Sequence, residues 1–204
     1  TRFFGLKRGV EYALRTLDDI ADYARDNHVE NIIQAGDVCE TPYPTYHTLQ
    51  MLLLRMRDHR DLTFDFIPGN HDRDDTDHVS LEIPKLFADL HATSNMRVHL
   101  FPRNVTIKGI PFHMMPWPFH RPFETDHEKV VIAHIEFAGA KRDNGRRIDR
   151  EEAPVAPNTD HWVIGHLHTP QQLSDRVIYI GTMMQHTFGE TMRKCFLHTN
   201  IEKD

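Results

Sequence analysis

Cysteine is scarce: Cys39 and Cys195 are the only two in 204 residues. That is too few for a disulfide framework, so the small stapled scaffolds of oxidising compartments are excluded and the cytoplasm is the expected location. Long apolar runs are lacking too. Stretches such as 51–54 and 130–133 fall far short of the roughly 20 residues that cross a bilayer, so no membrane span is expected. Charge of one sign is not in large excess, and a net charge of −6 argues against a protein that holds nucleic acid by bulk charge alone. With 39% hydrophobic and 26% charged residues, neither a disordered nor a collagenous chain fits. What is abundant is histidine, 16 residues, the commonest metal ligand and the side chain that titrates near neutrality.

Val10, Ala13, Leu14, Leu17, Ile20, Ala21 and Ala24 recur at helical spacing and predict an amphipathic helix over 9–28. A second helix follows Pro44, with Tyr46, Leu49, Leu53 and Met56 on one stripe, and a third is expected over 81–90. Strands are expected at 31–34 and 62–66, then in close succession at 98–101, 105–110, 112–115, 130–135, 162–167, 177–180 and 195–199. A β/α first half before a strand-rich second half predicts an α/β fold with sheets packed face to face and helices outside. The length, 204 residues, is that of a single domain. The first helix has no strand before it, although crossover helices join parallel strands. Since the chain opens on Thr1, a first strand is expected upstream of residue 1.

Four short segments sit where a strand ends and a loop begins: Gly36-Asp37, Gly69-Asn70-His71-Asp72, His134 and Gly165-His166-Leu167-His168. In an α/β sheet such strand-end loops converge on one edge, so residues far apart in sequence share one site. Asp37 offers a carboxylate able to bridge two cations, Asn70 a carbonyl oxygen, and His134, His166 and His168 imidazole nitrogens. That mixed oxygen and nitrogen set suits manganese, iron or zinc better than calcium or thiolate-seeking metals. His166 and His168 are two apart and point the same way on extended backbone. Taken singly, Gly-Asp is a common turn and His-x-His a common surface pair; the four in this order at strand ends form a joint signal.

Over residues 31–170 these segments resemble the ordered motifs of the calcineurin-like metallophosphoesterases. The resemblance implies a four-layer αββα sandwich of two mixed β-sheets flanked by helices. It also implies two divalent metal ions, Mn2+ in its nucleases, with Fe2+, Zn2+ and Mg2+ as alternatives. By motif Asp37 would bridge the metals, Asn70, His134 and His166 would bind one, and His168 the other. His71 matches the catalytic histidine, and Asp72 would orient it or else cap a helix. The family's first motif, Asp-x-His, is absent, and the strand expected upstream of Thr1 would carry it.

Subfamily signs follow. Asp37-Val38-Cys39-Glu40 lacks the Asp-Arg continuation of the phosphoprotein phosphatases. Tyr179-Ile180-Gly181-Thr182 with Phe188-Gly189-Glu190, Met115-Pro116-Trp117 and the Gly139-Ala140 after His134 are similar to the nuclease component of double-strand-break repair complexes, SbcD-like and phage recombination nucleases included. That similarity implies a DNA exonuclease acting on 3′ ends, with possible single-strand endonuclease activity, in repair or recombination. It further implies a homodimer working with an SMC-like coiled-coil ATPase in a bacterial or phage-infected cytoplasm. The DNA-capping domain that usually follows the segment around Glu190 is not expected here. Lys141, Arg142, Arg146, Arg147 and Arg150 outnumber Asp143 and Asp149, making Arg142, Arg146 and Arg147 candidate contacts to a DNA backbone. Arg2, Lys7 and Arg8 would share that rim, while Asp74, Asp75 and Asp77 oppose it. Trp117, Phe119 and Phe123 among prolines would stack on an unpaired base or simply pack. The alternatives to a DNA nuclease are a phosphodiesterase for cyclic or small nucleotides and a catalytically inactive metal-binding scaffold.

Overall fold

The computed structural model describes residues 8–76, 78–91, 94–119, 130–154, 161–184 and 194–201. Helical spacing of apolar residues builds α1 (Arg8–Asp26), which lays Leu17, Ala21 and Ala24 onto a core with Phe64 and Phe66. It stops short of residue 28 because His28 takes a left-handed conformation at φ 57°. The strand β1 (Asn31–Ala35) follows. α2 (Tyr46–Asp58) starts behind Pro44, where Thr45 caps the helix by accepting a hydrogen bond from the Thr48 N–H. β2 (Thr63–Ile67), α3 (Glu82–Leu90) and β3 (Met96–Val98) complete the first half.

The second half contributes β4 (Arg103–Ile107), β5 (Ile110–Met115), β6 (Val130–Ala133), β7 (His161–Ile164), β8 (Gln171–Ser174) and β9 (Val177–Tyr179). The first sheet runs β1-β2-β3 and the second β4-β5-β6-β7-β9-β8. Alternation along each strand decides what meets what. In the first sheet Phe64, Phe66, Met96 and Val98 face the helices, while Ile33, Ala35 and Ile67 face Phe112, Met114, Val130 and Ile132 of the second sheet. The remaining face of the second sheet buries Met115, Val131, Ala133, Trp162, Ile164, Val177 and Tyr179 under Phe137, Ala140, Ile148 and Ala153. Face-to-face sheets are therefore joined by an apolar seam, and the protein is a mixed α/β fold with two sheets and three helices among the described residues.

Several expectations are corrected. The first sheet is wholly parallel rather than mixed, each pairing of its strands running the same way. All three described helices belong to the first half; the outer face of the second sheet is covered by loop residues 136–154. The crossovers β5 to β6 and β6 to β7 pass through 120–129 and 155–160, outside the described residues. The expected strand over 105–110 is a hairpin, because Lys108 and Gly109 both take positive φ, 50° and 84°, and turn β4 back onto β5. β8 went unforeseen because an exposed edge strand reading Gln-Gln-Leu-Ser carries no apolar alternation. The segment 195–199 forms no strand: it pairs with none of the described strands, and Phe196 and His198 instead pack edge-on against Tyr23 of α1. Among the described residues no helix is long and apolar enough to cross a membrane.

One buried group ties the second sheet to the loop that leaves β6. The Tyr179 hydroxyl accepts from the Phe137 N–H at 2.8 Å and donates to the Ile135 carbonyl at 3.1 Å. Burial and the nearby Glu136 charge push its phenol above the usual range, so it stays a neutral donor. Replacing Tyr179 by Phe strands both backbone groups inside the core. The expected cost is about 1–3 kcal/mol of unfolding free energy, read from urea denaturation.

Candidate metal centre

β1, β2, β6 and β7 all end at the same edge of the sandwich, and the residue types found there are those that bind cations. Donor atoms of Asp37, His134 and His166 lie within 4.8 Å of one another. The Asn70 Oδ1 sits among them, 2.9 Å from His134 Nε2 and 2.8 Å from His166 Nδ1. Those two ring nitrogens are 3.2 Å apart, and Asp37 Oδ2 is 3.3 Å from His134 Nε2. Four segments separated by up to 129 positions, from Asp37 to His166, thus meet at one point.

Local backbone makes the meeting possible. Asp37 and His166 both take positive φ, 52° and 85°, a conformation that costs a non-glycine residue about 1–3 kcal/mol and clusters at functional sites. The glycines beside them are explained by contact. A Cβ on Gly36, itself at φ 93°, would lie 2.1 Å from His134 Nδ1, and one on Gly165 would lie 2.0 Å from the Ala35 carbonyl oxygen. Only hydrogen fits at either place.

Protonation follows from the same contacts. His134, 1% exposed, directs Nδ1 at the Ala35 carbonyl over 2.9 Å, so Nδ1 donates there and Nε2 is the nitrogen turned toward the cluster. His166 has a carboxylate, Glu136, 3.4 Å from its Nε2, which keeps that nitrogen protonated and leaves Nδ1 bare. Burial and the His134 neighbour lower the His166 pKa, so the ring stays neutral. Burial pushes the Asp37 carboxyl up, but the contacts to His134 and His71 outweigh it and hold Asp37 below the usual carboxylate range. Two imidazole nitrogens, an amide oxygen and a carboxylate oxygen then face one another within hydrogen-bonding distance. Such a group fits a divalent cation of the manganese, iron or zinc type.

The other residues singled out in the sequence are placed as follows. His71 is exposed beside the cluster; its N–H donates to Asp37 Oδ1 at 3.0 Å and its Nδ1 lies 3.4 Å from the Glu40 carbonyl. His168 stands outside the tight group, its Nδ1 3.3 Å from Asp143 Oδ2. Asp72 is fully buried and caps no helix, since α3 begins at Glu82. Its carboxylate accepts from the N–H groups of Val38, Cys39 and Gly69 and from the Ser80 hydroxyl, at 2.8–2.9 Å, and makes no hydrogen bond to His71. Burial pushes Asp72 up against the pull of these four donors, and burial together with that carboxylate drives the Cys39 thiol up to about 12.

Arg142 forks onto Glu136 at 2.6 and 2.9 Å and also reaches Glu152, which Arg146 shares, while Arg147 donates to the Gly139 carbonyl. Across 136–152 five carboxylates match the five cations, so the loop carries no net charge. Trp117 stacks on His166, ring centres 6.0 Å apart and planes 12° from parallel, and Phe119 meets Phe101 edge-on. Asp74 accepts from the Tyr43 hydroxyl and from the Thr76 and His78 N–H groups as a turn residue. Arg2, Lys7, Asp77, Phe123 and Phe188 to Glu190 lie outside the described residues, as does the side chain of Arg8. Sequence reasoning passed over Glu136 and Asp143. The signal for Glu136 was its spacing, two residues beyond His134, which on extended backbone points it to the same side.

No family model matches this chain. Among curated proteins it is 21% identical to the SbcD component of the nuclease SbcCD from Staphylococcus saprophyticus, over 86% of this chain and 56% of that protein. The chain thus spans just over half the length of the relative it matches. The likeness is distant and extends over most of the chain.

Asp72 holds two of the site's loops, 37–39 and 69–72, from behind. Exchanging one carboxylate oxygen for an amide in Asp72→Asn sets N–H against N–H. The expected loss is about 1.5–3 kcal/mol of stability; a melting temperature equal to that of the parent refutes the assignment.

Proposed function

We propose that this chain is the nuclease domain of a divalent-metal-dependent enzyme that hydrolyses phosphodiester bonds in DNA, related to SbcD. The observation that carries the reading is the convergence of Asp37, Asn70, His134 and His166 through nitrogen and oxygen atoms able to hold a cation. The distant likeness to a nuclease component across most of the chain supports it. The metal proposed is Mn2+; His168 would hold a second ion, and Asp37 would be shared between the two. On this reading the strand-end site belongs to an αββα sandwich.

Two divalent ions so held would supply hydroxide at neutral pH and neutralise charge on the phosphoryl oxygens. The residues do the rest. Asp37, with His71 N–H on one oxygen and His134 near the other, is fixed in orientation before any ligand arrives. With Nδ1 turned to the Glu40 carbonyl, His71 in its imidazolium form would give the Nε2 proton to the departing oxygen and be left as the neutral ring. Asp72 acts behind the site by holding the loop that carries His71.

A homodimer and an SMC-like ATPase partner, acting on DNA ends in the cytoplasm, complete the proposal. Leu49 and Met56 of α2 are buried on the protein's own core. α3 offers Ile83, Leu86, Phe87 and Leu90, all exposed and spaced as one helical face.

Two outcomes test the site. Asp37→Ala is expected to lose bound manganese after dialysis, read by elemental analysis; unchanged metal content refutes its role as ligand. His71→Ala is expected to keep the metal but release nucleotides from end-labelled linear duplex DNA about 10²–10⁴ times more slowly than the full-length parent. Equal rates remove His71 from the chemistry. Faster turnover by the parent of a small cyclic diester than of DNA replaces the nuclease with a small-nucleotide phosphodiesterase.

A further inference from the structure

We propose that the charged loop 136–152 is a brace that sets the orientation of the two histidines of the His166-x-His168 pair, and that its arginines serve this brace rather than a nucleic-acid backbone. The inference rests on the metal reading given above. It comes from where the loop's charges go. Glu136 places Oε1 3.4 Å from His166 Nε2, and Asp143 places Oδ2 3.3 Å from His168 Nδ1. One loop therefore sets a carboxylate against each histidine, on the ring nitrogen of His166 that faces away from the Asn70 and His134 donors.

The carboxylates are themselves fixed. Arg142 grips both oxygens of Glu136 in a fork at 2.6 and 2.9 Å, and its third nitrogen reaches Glu152, which Arg146 also engages. Asp143 accepts from the Thr169 hydroxyl, next to His168. The loop is closed on itself by the bridge between Lys141 and Arg147 and is pinned to β8 by Gln171, which exchanges two hydrogen bonds with the Lys141 backbone at 2.7 and 2.8 Å. On the other face of His166 lies Trp117, parallel to the ring.

The physical consequence is specific. A neutral imidazole can hold a cation through either nitrogen, and a carboxylate on one of them selects the other, fixes the ring and makes it a stronger donor. His166 in particular sits at φ 85°, where the backbone alone does not favour the geometry, so an external hold on its side chain matters more. Glu136 and Arg142 are accordingly positioning residues: Glu136 touches His166, and Arg142 acts through its grip on Glu136. Five cations neutralised by five carboxylates leave little field for steering a polyanion, which is why the brace and the phosphate contact are competing accounts of the same arginines.

The test is Mn2+ binding by calorimetry, with the visible spectrum of the Co2+ form, on full-length parent, Glu136→Gln, Arg142→Ala and His166→Ala. The brace predicts Mn2+ affinity lower by about 10–100-fold in Glu136→Gln and a shifted Co2+ spectrum, with the metal-free melting temperature unchanged. It predicts that Glu136→Gln costs nothing further in the His166→Ala background, since the coupling then has no ligand to act through. Should Glu136→Gln lower the metal-free melting temperature, Arg142→Lys, which keeps the charge but loses the fork, reads the same affinity. Unchanged affinity in Glu136→Gln overturns the brace. So does an Arg142→Ala protein that binds Mn2+ as the parent does but loses DNA affinity with a shallower salt dependence, which makes the loop a phosphate contact. A parent that takes up no Mn2+ overturns the metal reading itself, and is thereby distinguishable from failure of the brace.

Discussion

The hydrogen bond from His134 Nδ1 to the carbonyl of Ala35 is the contact on which the rest of the site depends. It joins the end of β6 in one sheet to the end of β1 in the other, across 99 positions of sequence, inside a region where neither partner meets water. The apolar seam between the sheets supplies free energy but is tolerant of small slides. A single directional bond between the last residue of one strand and the first residue past another is not. It fixes the register of the two sheets at the edge where the donors converge, and it fixes the tautomer of His134 in the same act. The glycines follow from it: with β1 and β6 so close, Gly36 and Gly165 have hydrogen where any side chain would collide with His134 or with the Ala35 carbonyl.

Around that bond the polar groups sort into those that face the cluster and those that hold it. Asp37, Asn70, His134 and His166 turn their polar atoms toward one another, within 2.8–3.3 Å. Asp72 and Tyr179 do the opposite, collecting buried N–H and C=O groups so that the loops leave the strands at fixed angles. The two roles look alike in sequence, since Asp37 and Asp72 each follow a glycine-bearing strand end, and differ in what surrounds the carboxylate. Three backbone N–H groups and a hydroxyl saturate Asp72; Asp37 has one N–H and the His134 ring beside it. A saturated buried carboxylate is structural, and an unsaturated one has room for a ligand.

How far the sequence was legible follows the same division. Helical and alternating periods located α1, α2, α3 and most strands, because those patterns are what burial on one face requires. The four short segments were legible as a joint site since strand ends of a sheet converge whatever lies between them. What stayed hidden depends on contacts that no period records. Lys108-Gly109 turns β4 into β5 with a single glycine as its signal, β8 is a polar edge strand, and the segment 195–199 is apolar enough to read as a strand yet packs on Tyr23. The loop 136–152 reads as basic if Lys and Arg are counted near His134 and as neutral once Glu136, Glu151 and Glu152 are included; only the fold tells that Arg142 turns back onto Glu136.

Backbone strain at one place raises the question of what compensates it. Positive φ at Asp37 and His166 costs about 1–3 kcal/mol each, a sizeable part of a domain's net stability of about 5–15 kcal/mol. The compensation is visible nearby: four donors on Asp72, two bonds on the Tyr179 hydroxyl, and an apolar seam on either side of the second sheet. A site that is locally unfavourable and held by a rigid frame is preorganised, because the cost of gathering four donors has been met by folding before a cation arrives. By linkage a ligand that prefers the folded state stabilises it in proportion to that preference, so a divalent ion bound among these four residues would raise the stability of the frame that gathers them.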